Sequence, residues 1–443
     1  MIKRILYTLL IMFPVVASAQ INTDRVMAIG RNALYFEDYV LSIQYFNQVI
    51  NAKPYLSDPY FYRGLAKINL DDFQGAESDC SEAIERNPFV VSAYQVRGLA
   101  RIQQNNFAGA IEDYTKALEF DPENIGVWHN MALCRIRQED YKGAKNDLDK
   151  LIAISPRYTK AYLMRGEVDL KQKDTLAAEK DFGKAIEIDR YDADTWASRA
   201  ILRLQQQRYK DAEADFDHAI RLSTRNSGVY INRALARYHQ NNLRGAMSDY
   251  DIALDIDPNN FIGHYNRGLL RAQVGDDNRA IQDFNFVIEM EPDNMMAIFN
   301  RGLLLDQTGD YKGAIKDYST VINEYPNFLL GYQYRAQARR KIGDVKGADA
   351  DEFKVLKAQL DKQNGVDPNK QTADNTENNK TRKKSDKNMN NYRKIVVADN
   401  EEGEEKYKSD YRGRVQDKNV NIVPQPMFVL TYYEKHDLSL IHI

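Results

Sequence analysis

Residues 91–124 read VSAYQVRGLARIQQNNFAGAIEDYTKALEFDPEN, and their pattern decides the fold. Tyr94, Gly98 and Ile102 stand four apart, which puts them on one side of a helix. Asn105 and Asn106 interrupt that pattern. Phe107 reopens it, and Ala110, Ile111, Tyr114, Ala117 and Leu118 form a second apolar stripe. Asp121-Pro122 ends the second helix, because proline disfavours helical backbone in the residue before it. Two antiparallel helices and two short turns therefore consume 34 residues.

The pattern recurs without insertion or deletion. Glycine or alanine stands at Gly30, Gly64, Gly98, Ala132, Gly166, Ala200, Ala234, Gly268, Gly302 and Ala336, always 34 apart. A second small-residue series runs from Ala76 and Ala110 through Ala314 and Ala348. Proline returns between units at Pro54, Pro88, Pro122, Pro156, Pro258, Pro292 and Pro326. Glycine inside a helix costs roughly 1 kcal/mol against alanine, so its repeated use predicts a close helix approach rather than a propensity choice. Ten such blocks over residues 23–362 predict an all-α solenoid of helix pairs. Each unit packs only on its neighbours, so the core grows lengthwise and a chain of 443 residues escapes the size limit of a single core. A stack of this kind suits holding other molecules rather than transforming them.

This in-phase recurrence closely resembles the tetratricopeptide-repeat family over about three quarters of the chain. Aromatic residues at Tyr60, Tyr94, Trp128, Tyr162, Trp196, Tyr230 and Tyr332 match the family's pattern, as do Gly64, Ala76 and the turn proline Pro88. His264 and Ile298 depart from the aromatic rule, which predicts looser packing there. The resemblance implies a right-handed superhelix, with first helices lining a concave groove and second helices facing outward.

Arginine precedes the small residue at Arg63, Arg97, Arg165, Arg199, Arg233, Arg267, Arg301 and Arg335. Aspartate follows sixteen residues later at Asp79, Asp113, Asp181, Asp215, Asp249, Asp283, Asp317 and Asp351. Met131 breaks the first series while Asp147 keeps the second. The co-occurrence predicts structural ion pairs, such as Arg233 with Asp249 and Arg267 with Asp283, joining first and second helices.

If the first helices line a groove, Phe61, Tyr62, His129, Asn130, Asn232, Tyr265, Asn266, Phe299 and Asn300 point into or beside it. An asparagine amide donates and accepts together, which suits the backbone of an extended peptide whatever its side chains. Some peptide-binding members of the family clamp a terminal carboxylate with lysines and asparagines. The early-groove positions here, Phe61 and Leu65 or Gln95 and Leu99, lack that set.

Nothing in the sequence announces catalysis. Six histidines are scattered without helical pairing, no Gly-rich phosphate loop follows a strand, and no cofactor or metal set is recognisable. The formal charge of -3 disfavours nucleic acid as a partner. Cys80 and Cys134 fall in core registers two units apart and are expected as free thiols.

Residues 1–19 have the layout of a signal peptide: Lys3 and Arg4, an apolar run over 5–16, then Ala17-Ser18-Ala19. Residues 20–362 form the expected solenoid, with no integral membrane segment after signal cleavage. Residues 363–410 have the composition of a disordered polar linker. Residues 411–443 hold two short β segments, expected as part of a truncated domain. The sequence thus predicts a non-enzymatic, periplasmic scaffold or adaptor that binds a protein or extended peptide in its groove. The alternative is an envelope spacer that positions a C-terminal domain.

Overall fold

A computed structural model describes residues 22–222, 225–363 and 388–398. The leader at 1–19 and the β segments expected within 411–443 lie outside the described residues. Among the described residues there are twenty α-helices and no strand. The helices alternate as first and second members of successive 34-residue repeats, giving an all-α solenoid. They fall into two compact units divided between Lys173 and Asp174, inside the fifth repeat. One unit runs from the helix Thr23–Tyr35 to the helix Thr159–Lys171. The other runs from Thr175–Ile188 to Val345–Gln363 and includes residues 388–398.

The repeat read first from the sequence forms helices Val91–Gln103 and Phe107–Phe120. Between them Asn105 adopts a left-handed φ of 61°, and the Asn106 side chain accepts from the Gly109 amide at 3.1 Å. The left-handed residue reverses the chain at a cost of roughly 1–2 kcal/mol for a non-glycine. The N-cap offsets it by satisfying an orphan donor of the next helix, worth about 1 kcal/mol. Glu37, Asp71, Glu139, Gln207 and Asn241 repeat this turn, and Gly275, Gly309 and Gly343 supply it without strain.

The small-residue series marks where the two helices touch. A Cβ at Gly98 would meet Tyr114 Cε1 at 2.8 Å, and one at Gly64 would meet Cys80 Sγ at 2.9 Å. Cys80 and Cys134 are buried free thiols; burial pushes both up, Cys134 to about 12. The aromatic position has its own task. Trp128 Nε1 donates to Pro122 O at 2.8 Å, Tyr162 OH to Pro156 O at 3.1 Å and Trp196 Nε1 to Arg190 O at 3.0 Å. Each pins the carbonyl of the turn six residues upstream. His264 keeps that contact, with Nε2 3.0 Å from Pro258 O, and stacks on Phe286 at 4.0 Å. The loosening expected at His264 is therefore absent: imidazole supplies both the ring and the polar edge.

Arginine and aspartate form the fastening of the stack. Arg97 Nη2 donates to Asp113 Oδ1 at 2.6 Å, and Arg101 Nη1 donates to Asp113 Oδ2 at 3.0 Å. Arg97 also reaches back to Ser81 Oγ, and Arg101 to Glu77 Oε1, both on the second helix of the preceding repeat. Arg233 holds Asp249 at 2.5 Å and Asp217 at 2.7 Å, while Arg237 holds Asp249 at 2.9 Å and Glu213 at 2.8 Å. Arg267 and Arg271 clamp Asp283 at 2.8 and 2.7 Å, with Arg267 also bound to Asp251. Arg63, Arg199, Arg301 and Arg335 bind Asp79, Asp215, Asp317 and Asp351 in the same way. Arg63, Arg97, Arg233, Arg267, Arg301 and Arg335 each tie three helices together, whereas Arg199 faces Gly183 and leaves the reach-back to Arg203, which binds Glu179. The second basic residue, four positions on, was not singled out in the sequence.

Burial raises the carboxyls of Asp113 and Asp249 above the ordinary value even with two arginines on each, and at Asp147 one of the two partners is missing. Met131 leaves Asp147 with Arg135 at 2.7 Å, and that guanidinium is shared with Asp140 at 2.9 Å. Burial pushes the Asp147 carboxyl up to about 6, and Arg135 offsets this only in part. At Asp283 burial also opposes ionisation, but hydrogen bonds from His264 and Arg267, with the charges of Arg267 and Arg271, hold the carboxyl below its ordinary value.

Two measurements check this account. Arg267→Ala should destabilise the chain by about 3 kcal/mol in chemical denaturation, as expected when a buried carboxylate loses a partner. A change near zero would remove the clamp from the stability account. Asp147 binds its proton more tightly folded than unfolded, so its contribution falls as pH rises from the ordinary carboxylate range to about 6 and is flat above. Asp147→Asn should abolish that slope; an unchanged slope between pH 4 and 7 would contradict it.

Candidate peptide groove

Three consecutive repeats present an asparagine one position before the clamp arginine. Asn232 lies on the helix Ser227–His239, Asn266 on Phe261–Gln273 and Asn300 on Met295–Thr308. Helical geometry turns each successive residue about 100° round the axis, so the arginine meets the second helix while the asparagine faces away from it. All three amides are bonded to the backbone of residues 388–398 of the same chain. Asn232 Nδ2 donates to Ala398 O at 3.0 Å, and Asn232 Oδ1 accepts from Ala398 N at 2.9 Å. Asn266 makes the same exchange with Val396, at 2.7 and 2.9 Å. Asn300 Nδ2 donates to Tyr392 O at 2.5 Å and to Met296 O at 2.9 Å, while Tyr265 OH donates to Tyr392 O at 2.7 Å.

The register follows from this. Asparagines one repeat apart bind residues two apart, which is the side-chain period of an extended chain. The segment runs against the order of the repeats: later residues meet earlier asparagines. Toward Asn300 the register shifts, because the 3-10 turn Met389–Asn391 and the Lys394 N to Asn391 O bond shorten the segment.

Side chains fill the spaces between the amides. The Tyr392 ring packs edge-on against Phe299, with centroids 4.9 Å apart. Met389 is buried with Phe299, Tyr318 and Phe328, and Ala398 with Ile231, Tyr250 and Leu270. Ile395 and Val397 pack toward Phe216 and Leu235, whereas Arg393 and Lys394 are exposed. Asn232 and Asn266 are 0% exposed with the segment in place, so their bonds to its backbone are made out of contact with water.

Asn232, Tyr265, Asn266, Phe299 and Asn300 thus meet around one segment. Phe61, Tyr62, His129 and Asn130 belong to the other unit. There Phe61 and Tyr62 are half-buried, and Tyr62 stacks on Phe46 at 5.7 Å. His129 is buried with Nδ1 3.2 Å from Tyr158 OH, and Asn130 is buried beside it. Met389, Tyr392, Val396 and Ala398 went unread in the sequence because the polar composition around them masks four well-spaced packing residues. Among the described residues no group of three His, Cys, Asp or Glu side chains is placed to hold a metal, and no helix is long and apolar enough to cross a membrane.

Family models described as TPR repeat or tetratricopeptide repeat match residues 98–134, 125–158, 159–192, 198–261 and 265–327, together about half of the chain. The chain belongs to the tetratricopeptide-repeat family, whose members generally mediate protein–protein interactions on a typically non-enzymatic scaffold. Among solved structures it is similar to a tetratricopeptide repeat protein from Parabacteroides merdae, at 21% identity over 56% of this chain and 98% of that one, with a TM-score of 0.45. The C-terminal part of a TPR repeat-containing protein from Cytophaga hutchinsonii is 18% identical over 54% of this chain and 97% of its own, with a TM-score of 0.45. YrrB, described as a TPR protein with an unusual peptide-binding site, is 20% identical over 42% of this chain and 95% of its own, with a TM-score of 0.35. No curated protein matches the chain.

Hydrogen exchange reads the amide contacts directly. The Val396 and Ala398 amides should exchange slowly, and Asn266→Ala should speed exchange at Val396 roughly tenfold or more, since two hydrogen bonds are lost. Equal rates in the two proteins would contradict the paired exchange.

Proposed function

We propose that this chain is an extracytoplasmic adaptor whose groove holds an extended peptide, chiefly by its backbone. The observation that carries the reading is the two-way exchange of Asn232 and Asn266 with the N–H and C=O of residues two apart. Each amide acts as a neighbouring strand would, so affinity comes from main-chain bonds and selectivity from the pockets between them. The leader-like layout of residues 1–19 supports export to the periplasm, and the charge of -3 argues for protein or peptide over nucleic acid. Residues 364–387 then act as the connector between the last helix and the segment in the groove. The groove functions by holding, with no cofactor and no catalytic step.

The self-filled groove also suits a second reading, in which the solenoid is an envelope spacer and the segment a permanent seam. The two separate in affinity capture from an envelope extract with the full chain. Replacing Asn232, Asn266 and Asn300 together by alanine should lose the captured partners while circular dichroism stays unchanged. Capture that is indifferent to the three asparagines would sink the adaptor reading.

A further inference from the structure

Resting on that peptide-groove reading, we propose that residues 389–398 are a tethered stand-in for the partner's segment, closing the groove until an extended peptide of like side-chain pattern displaces them. The amides contact only backbone atoms of the segment, so any extended chain satisfies Asn232 and Asn266 equally. Exchange of one occupant for another leaves the hydrogen bonds of the fully buried Asn232 and Asn266 balanced. Selection then falls to the packed side chains, three of which set the pattern over residues 392–398 while Met389, Ile395 and Val397 add apolar contacts.

An aromatic ring must meet the Phe299 edge, as Tyr392 does. Four residues on, a β-branched residue must fill the space of Val396. Two further on, the site admits a residue of alanine size, because Ala398 is 3% exposed among Ile231, Tyr250 and Leu270. The partner segment therefore turns at its aromatic residue and, after three residues, runs extended in the form Val/Ile/Thr, one residue, Ala/Gly/Ser. Arg393 and Lys394 point outward and impose nothing.

The tether gives the resident segment its advantage. Residues 364–387 connect it to the last helix, and a short connection of this kind gives an effective concentration on the order of millimolar. A free peptide of equal intrinsic affinity sees only the open fraction of molecules, and its apparent affinity falls by that fraction. Weakening the resident segment should therefore strengthen binding in trans.

A fluorescent peptide with the sequence of residues 388–398, NMNNYRKIVVA, serves as the probe in anisotropy titrations against the full-length chain. It should bind the Tyr392→Ala/Ala398→Asp chain at least tenfold more tightly than the unaltered chain. Equal affinity for both, or no binding to the altered chain while its circular dichroism is intact, would overturn the proposal. Adding Asn266→Ala to the altered chain should abolish binding; persistence there would overturn the underlying backbone-reading groove, not the competition. A second measurement needs no substitution. Saturating unlabelled peptide should speed hydrogen exchange at Val396 of the unaltered chain at least tenfold, and an unchanged rate would also overturn the proposal.

Discussion

The buried aspartate held by the basic side chains of its repeat's first helix, two of them at Asp79, Asp113, Asp215, Asp249, Asp283 and Asp351, is the constraint on which the rest depends. Asp113 is 2% exposed and Asp249 1%, yet each accepts from two arginines of its own repeat's first helix. Those arginines also hold the second helix of the preceding repeat. An apolar contact of the same size would stabilise at least as well, because desolvation consumes much of an ion pair's attraction. What the clamp adds is direction. A planar guanidinium bonded on three sides fixes the rotation and spacing of three helices at once.

Fixed spacing is what makes a ladder of amides useful. The asparagine next to the clamp arginine inherits the arginine's placement, so Asn232, Asn266 and Asn300 recur once per repeat with little freedom of their own. Two residues of extended chain span roughly 6.6 Å, and Asn266 and Asn232 meet Val396 and Ala398 at that step. The match fails at Asn300, where a 3-10 turn intervenes and Tyr265 adds a hydroxyl to the same carbonyl. The groove is thus a backbone reader at one end and an aromatic pocket at the other. A filled groove also gives the amides of Asn232 and Asn266 their hydrogen-bond partners while covering them from water.

The solenoid was legible because one constraint repeats ten times: Gly98 or Ala132 at the helix crossing admits no large residue, so the period survives in the sequence. The Arg267–Asp283 pairing was visible for the same reason, since both partners recur at one offset. Arg271 and Glu77 escaped notice, because their series are interrupted and read as ordinary surface charges. The asparagines were readable as amides suited to backbone. Their occupant was not, because contacts between Asn232 and Ala398 span 166 residues and involve no side chain of the segment. Backbone recognition leaves almost no mark on the recognised sequence.

The measurement that reaches this claim most directly is a double-mutant cycle between Asn266→Ala and Val396→Pro, read as the free energy of releasing the segment. Proline at 396 removes the N–H that Asn266 accepts from, without touching the asparagine. Backbone recognition predicts coupling of about 1 kcal/mol, within the range for residues in direct contact. Additive losses would mean that side-chain packing alone holds the segment, and the amide ladder would lose its place in the account.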